Sequence, residues 1–201
     1  MAIGAEKPYH HGNLRAALLE RAERTLSDEG TRGLSLRGLA RDVGVSHAAP
    51  RRHFPDKQAL LDALAEDGFE RLGADLGQAI ENAPGESFAE RFTAMARAYV
   101  RFATEHAALL DLMFAAKQRP EAEDVRAAAE RAFAQPLALV ADAQARGEVV
   151  RGDPQGVALV AWAAIQGFAS MAAEEMFDDG AIDELVGVAV ERLMLGLRPR
   201  P

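Results

Sequence analysis

The stretch Leu36-Arg37-Gly38-Leu39-Ala40-Arg41-Asp42-Val43-Gly44-Val45-Ser46-His47-Ala48-Ala49-Pro50-Arg51-Arg52-His53-Phe54 decides how this chain is organised. Leu36, Leu39, Ala40 and Val43 recur at helical spacing behind Ser35, a residue type that caps helices through its side-chain oxygen. Gly44 supplies a turn position tolerant of positive φ, Val45 fills the gap beneath the turn, and Ser46 is placed to cap a second helix reaching about Phe54. Two helices crossing steeply need a small residue where they touch, and Ala40 stands there. The second helix presents His47, Arg51 and Arg52, all donors suited to phosphates and base edges, with Ala48 and His53 beside them. A purely structural helical hairpin would share the small residue, the turn and the cap. Pro50 lies within about a turn of the second helix's start, where losing an N–H costs least.

Outward from this stretch the chain reads as helices joined by short breaks, with no persistent alternation of apolar and polar residues that would mark a sheet. The expectation is an all-α protein of about nine helices. Asn13 can cap a first helix with Leu14, Leu18, Ala22 and Leu26 on one stripe, ending near Gly30. Pro55-Asp56 starts a fourth helix over 57–82, and Ala83-Pro84-Gly85-Glu86 breaks the chain after it. A fifth helix opens at Ser87, a sixth covers 107–114, and a seventh covers 121–146 with a kink expected at Pro136. Asp153-Pro154, a cap followed by a first-turn proline, starts an eighth. Asp178-Asp179-Gly180 separates it from a ninth over 182–197. The expected division is an N-terminal three-helix domain, 1–60, followed by a helical bundle, 61–201.

The 201 residues are 49% hydrophobic, ample for compact cores, and contain no cysteine, which excludes disulfides and thiolate metal sites. The net charge of -8 is uneven. Residues 1–60 carry ten Lys/Arg against seven Asp/Glu, whereas the remainder carries thirteen against twenty-four. A locally positive module can therefore meet phosphates while an acidic one lies elsewhere, since charges are screened over short distances. The first residues lack the apolar stretch of a secretory signal, so a cytoplasmic protein is expected. Residues 156–173 hold no charge, but they are rich in Ala and Gly, carry Gln166 and have acidic flanks; a buried helix is expected there and not a membrane span.

Tyr9-His10-His11-Gly12-Asn13-Leu14, Gly30, Leu34-Ser35-Leu36, Gly44-Val45-Ser46-His47-Ala48-Ala49-Pro50, Arg52-His53-Phe54-Pro55-Asp56-Lys57 and Leu60-Leu61 together resemble the DNA-binding domain of TetR-type regulators, in the branch carrying His-Ala-Ala-Pro. The resemblance implies that 36–43 is the supporting helix and 47–53 the recognition helix. It implies that Ser35 and Arg37 lie near backbone phosphates and that Lys57 contacts one. Two departures stand out. Arg51 replaces the family's usual Tyr, and Gly38 replaces its common acidic residue, so the Ser35 capping box lacks its second half. The DNA-contacting set expected is Ser35, Arg37, Ser46, His47, Ala48, Arg51, Arg52, His53 and Lys57.

In the second half, Phe88, Phe92, Met95, Tyr99, Phe102, Met113, Phe114 and Phe133 form an aromatic and Met stripe that reads as plain core or as a cavity wall. Trp162-Ala163-Ala164-Ile165-Gln166-Gly167 resembles the Trp-x-x-x-His-Gly signature of one C-terminal domain type of the family, with Gln166 in place of His. The resemblance implies a small-molecule pocket here. The expected lining is Phe92, Met95, Tyr99, Phe102, Phe114, Trp162 and Gln166, suited to a small hydrophobic effector, neutral or weakly polar. The eighth helix places Val157, Val160, Ala161, Ala164, Ile165, Phe168 and Ala172 on one broad face, and the ninth is apolar nearly all round. Such helices need cover from beyond their own domain. A homodimer through 157–172 and 185–197 is expected. The histidines show no metal-ligand spacing with carboxylates and no phosphate-binding glycine loop is present, so neither metal, cofactor nor enzymatic activity is expected. The resemblance implies a ligand-responsive repressor that binds a palindromic double-stranded operator as a dimer. The alternatives are a helical ligand-binding protein or enzyme, and a sequence-tolerant architectural DNA binder.

Overall fold

The computed structural model describes residues 14–197 and is helical throughout, with no strand among them. The cap expected at Asn13 and the Tyr9-His10-His11-Gly12 part of the motif lie outside the described residues. Helix α1 (Leu14–Gly33) buries Leu14, Leu18, Leu19, Ala22 and Leu26, and Gly30 at φ 68° interrupts its helical dihedrals near the expected end. Then follow α2 (Leu36–Val43), a 3-10 turn (Pro50–Arg52), α3 (Lys57–Glu81), α4 (Phe88–Glu105), α5 (Ala107–Lys117) and α6 (Glu123–Ala145). Last come α7 (Pro154–Ala173), a second 3-10 turn (Asp179–Ala181) and α8 (Ile182–Leu197). Caps mark the breaks. Ser87 and Glu90 form a reciprocal capping box before α4, and Asp153 accepts the Gln155 and Gly156 N–H groups ahead of α7.

Among the described residues the expected nine helices are eight, because the segment after Gly44 is not an α-helix. Pro50 has no N–H to give to the Ser46 carbonyl, and its ring crowds that position, so the i→i−4 bond there is lost and the next one is Phe54 to Pro50. The chain winds tighter instead. Ala49 N–H donates to the Ser46 carbonyl at 2.9 Å, Arg52 to Ala49 at 3.2 Å and His53 to Pro50 at 3.0 Å. In α6 the helix continues through Pro136.

Helix α3 is the central element. It packs along α4, α5 and α6, and it runs unbroken through residue 60, so the N-terminal unit and the bundle share one helix. Gly73 is where α3 and α6 approach most closely: a Cβ there would lie 2.9 Å from Ala132 Cα. Polar contacts tie α1 to the bundle. Glu23 on α1 forms an ion pair with Arg71 of α3 at 2.9 Å and lies 2.9 Å from Nδ1 of His106, between α4 and α5. Arg119, after α5, reaches Asp62 near the start of α3 at 2.5 Å.

The last two helices depart from expectation. Helix α7 is long and apolar enough to cross a bilayer, and only 22% of that stretch is buried within the chain. Ala161, Ile165, Ala169 and Ala172 face inward, whereas Val160 and Ala164, expected on the same face, are exposed. The inward stripe keeps the helical repeat of 3–4 residues, so neighbours one position away rotate out to solvent. Helix α8 divides likewise: Val186 and Val190 are buried within the protomer, whereas Val188 and Leu195 are exposed. These outward positions carry the apolar surface that the chain itself does not cover.

Candidate functional site

The end expected to read DNA is built from α2 and the turn behind it. Ser35 accepts the Gly38 N–H on its Oγ at 3.1 Å, and a Cβ at position 38 would lie 2.8 Å from that hydroxyl, so glycine leaves the cap undisturbed. Gly44 adopts φ 78° and the Val45 N–H donates to the Ala40 carbonyl at 2.9 Å, which reverses the chain within two residues. Ala40 and Leu39 are buried where the elements cross.

Ser46 does not cap with its side chain as expected; its backbone carbonyl receives the Ala49 N–H instead, as the tighter winding requires. Pro50 is buried, and Phe54 is 2% exposed. The proline is therefore the apolar foot that anchors the turn. Above it Ser46, His47, Ala48, Arg51, Arg52 and His53 are all exposed, as are Ser35 and Arg37. Lys57 is the first residue of α3, half-buried beside the N-terminus that Asp56 caps by accepting the Ala59 N–H at 2.9 Å. Free amides and the positive end of the helix dipole favour an anion there. Among the described residues Arg37, Arg51, Arg52 and Lys57 form no ion pair, whereas Arg21 and Arg41 are held by Asp42 at 3.0 and 3.4 Å. Arg15, which the sequence reading did not single out, lies 5.7 Å over the Phe54 ring.

A second feature lies in the bundle: a cavity of about 510 Å³ among α4, α5, α6 and α7. Phe92, Met95, Phe114 and Trp162 line it. Tyr99, Phe102 and Gln166, expected beside them, do not. Tyr99 is fully buried and donates its phenol hydrogen to Gln166 Oε1, so these two polar groups satisfy each other. Burial pushes the Tyr99 phenol far above its ordinary range, and the hydrogen bond with Gln166 offsets this in part. Phe102 packs against His106, with ring centroids 4.8 Å apart. Trp162 is gripped edge-on by Tyr99 and Phe133, at centroid distances of 4.4 and 4.6 Å.

The sequence reading missed the polar lining, Lys117, Glu130 and Gln155, together with much of the α6 wall, including Leu137 and Val140. Helical spacing carried the signal: Lys117 lies one turn after Phe114, and Glu130, Phe133 and Leu137 share one face of α6.

Residues 18–64 match the family model for bacterial regulatory proteins of the tetR family, and residues 92–194 match the tetracyclin repressor-like C-terminal domain. A solved structure of a protein of unknown function from a Rhodococcus species superposes with TM-score 0.87 at 49% identity, over 96% of this chain and 99% of that one. An HTH-type transcriptional regulator of Mycobacterium tuberculosis is 30% identical over 101 residues, which are 50% of this chain and 43% of the relative. The matched part is thus less than half of that relative's length. The class C tetracycline repressor of Escherichia coli is 48% identical over 52 residues, 26% of this chain and 24% of the repressor. Matched along both its N-terminal unit and its bundle, the chain belongs to the TetR family of bacterial regulatory proteins.

Proposed function

We propose that this protein is a ligand-responsive repressor that binds a palindromic operator as a homodimer, with a small hydrophobic effector seated in the bundle. One observation carries the reading: the apolar cavity opens among helices whose flanking residues His106 and Arg119 contact Glu23 of α1 and Asp62 near the start of α3. Ser35, Arg37 and Lys57 hold phosphates, Arg51 and Arg52 supply affinity, and Ser46, His47, Ala48 and His53 lie against the groove. The dimer forms through the outward faces of α7 and α8, where Val160, Met171, Val188 and Leu195 are between 41% and 58% exposed. Two half-sites lie about one helical turn apart, ~34–36 Å, or at multiples of it, so a modest change in the spacing of the two reading turns uncouples them. Ligand seating shifts that spacing only if it favours one dimer geometry over the other. The protein acts in the cytoplasm, with double-stranded DNA and not membrane as its partner.

The test is to select bound fragments from the source genome and measure both stoichiometry and sequence dependence. A two-fold symmetric site bound by two chains, at an affinity at least ~10³ above random DNA, supports the proposal. Equal affinity for all sequences would instead favour an architectural binder.

A further inference from the structure

The cavity is apolar along its walls but not at its edges. Phe92, Phe133 and Trp162 supply aromatic surface, and the charged or amide groups lining it are Lys117, Glu130 and Gln155. Lys117 differs from its neighbours in two ways. It is half-buried, and among the described residues no carboxylate lies within ion-pair distance of it. The arginines that follow it along the chain are held elsewhere: Arg119 by Asp62, Arg126 by the carbonyls of Arg119 and Pro120, and Arg131 by Glu70. The Lys117 ammonium is therefore the cation at this cavity still open to an anion, and a charge-assisted hydrogen bond there would be stronger than a neutral one. Glu130 is exposed and Gln155 likewise, so both are hydrated without any ligand.

Resting on the reading of this cavity as the effector site, we propose that the effector is a lipophilic monoanion, an apolar body with one carboxylate that pairs with Lys117. The body lies along Phe92, Phe133 and Trp162, and the Gln155 amide stands at the same cavity as a further donor. A single cation matches a single negative charge, which disfavours phosphate dianions. The pairing site is also placed to signal. Lys117 ends α5 two residues before Arg119, whose pair with Asp62 fastens this turn to the beginning of α3, close behind Lys57.

The test uses the full chain, with decanoate, 1-decanol and decyltrimethylammonium as matched probes. Trp162 emission reports cavity occupancy, and anisotropy of a selected genomic fragment reports DNA binding. Decanoate should bind at least about tenfold more tightly than either other probe and should change DNA affinity, as expected for a charge-assisted hydrogen bond. Lys117→Met should remove that advantage while leaving decanol binding unchanged, and Lys117→Arg should restore most of it. Glu130→Gln should leave decanoate binding equal or tighter. Equal binding of decanol and decanoate would overturn the monoanion and leave an apolar effector cavity standing. Tightest binding of decyltrimethylammonium, lost in Glu130→Gln, would reverse the sign of the ligand. No emission change with any probe would overturn the effector cavity itself and the inference with it.

Discussion

Val160→Glu is the substitution that most sharply separates a surface awaiting a partner from a protein core. Val160 projects from the middle of α7 and is 58% exposed, with the small residues Ala163, Ala164 and Gly167 beside it and also exposed. In the isolated protomer the change places a carboxylate in water and should shift thermal stability little. In a dimer joined by this face the same change is counted twice, because a two-fold interface presents each residue once from each chain. Covering the exposed half of a valine stabilises by about 1 kcal/mol, from ~1.5–3 kcal/mol for a fully buried side chain. An unpaired carboxylate in an apolar interface costs about 3 kcal/mol more. Two copies therefore lose about 8 kcal/mol, enough to raise the dimer Kd by at least ~10⁴-fold even if relaxation recovers a third of it. Sedimentation velocity across a concentration series would measure this, with circular dichroism melting as the control for folding. Val186→Glu is the counter-case. Val186 is 1% exposed and lies inside the protomer, so that variant should unfold and not merely dissociate. A Val160→Glu protein that stays dimeric at wild-type affinity would refute the assignment of this face.

Three further outcomes follow from the site. Lys57→Ala should weaken binding to every DNA sequence and reduce the salt dependence of log K by roughly one unit; altered site preference at an unchanged salt slope would mean that Lys57 reads bases. Tyr99→Phe leaves the Gln166 amide without its partner and should cost about 1 kcal/mol of stability, with a change in Trp162 emission because the two rings are in edge contact; an unchanged melting temperature would show that water replaces the phenol. Glu66 has its pKa raised by burial and then by the Asp124 carboxylate, so its ionised form opposes folding above the raised value and ceases to do so once protonated. Glu66→Gln should therefore raise Tm at pH 7, by about 1–2 °C given that a half-exposed group is worth roughly 0.5 kcal/mol after screening, with the gain fading toward pH 4; a gain that persists at pH 4 would point to packing instead.

Local chemistry was legible along the chain wherever one residue acts on its immediate neighbours. Ser35, Gly44, Asp56, Ser87 and Asp153 mark helix ends by capping or by tolerating positive φ, and the structure breaks at each of them. The spacing of Leu36, Leu39, Ala40 and Val43, with the turn behind them, likewise marked a helical hairpin, and the resemblance of the longer motif to TetR-type regulators implied that it reads DNA. Even the tighter winding at Pro50 had its local cause in view, a missing N–H, although the proline's role as a buried foot did not.

Direction and enclosure depend on the partners a helix finds across the fold, and those only the tertiary structure decided. Val186 and Val188 are the same residue type two positions apart, one buried in the protomer and the other facing outward, because α8 rotates against its neighbours to bury one stripe. Tyr99 and Trp162 both looked like cavity lining. The fold gives Trp162 to the cavity, and it closes Tyr99 against Gln166, a residue distant in sequence. In the sequence Lys117 was marked only by its charge and its place one turn after Phe114. It becomes informative because α5 brings it to an apolar wall, where it forms no ion pair with any described carboxylate. Helical periodicity states which residues share a face; which face meets solvent, core or ligand is set by burial summed over every element at once.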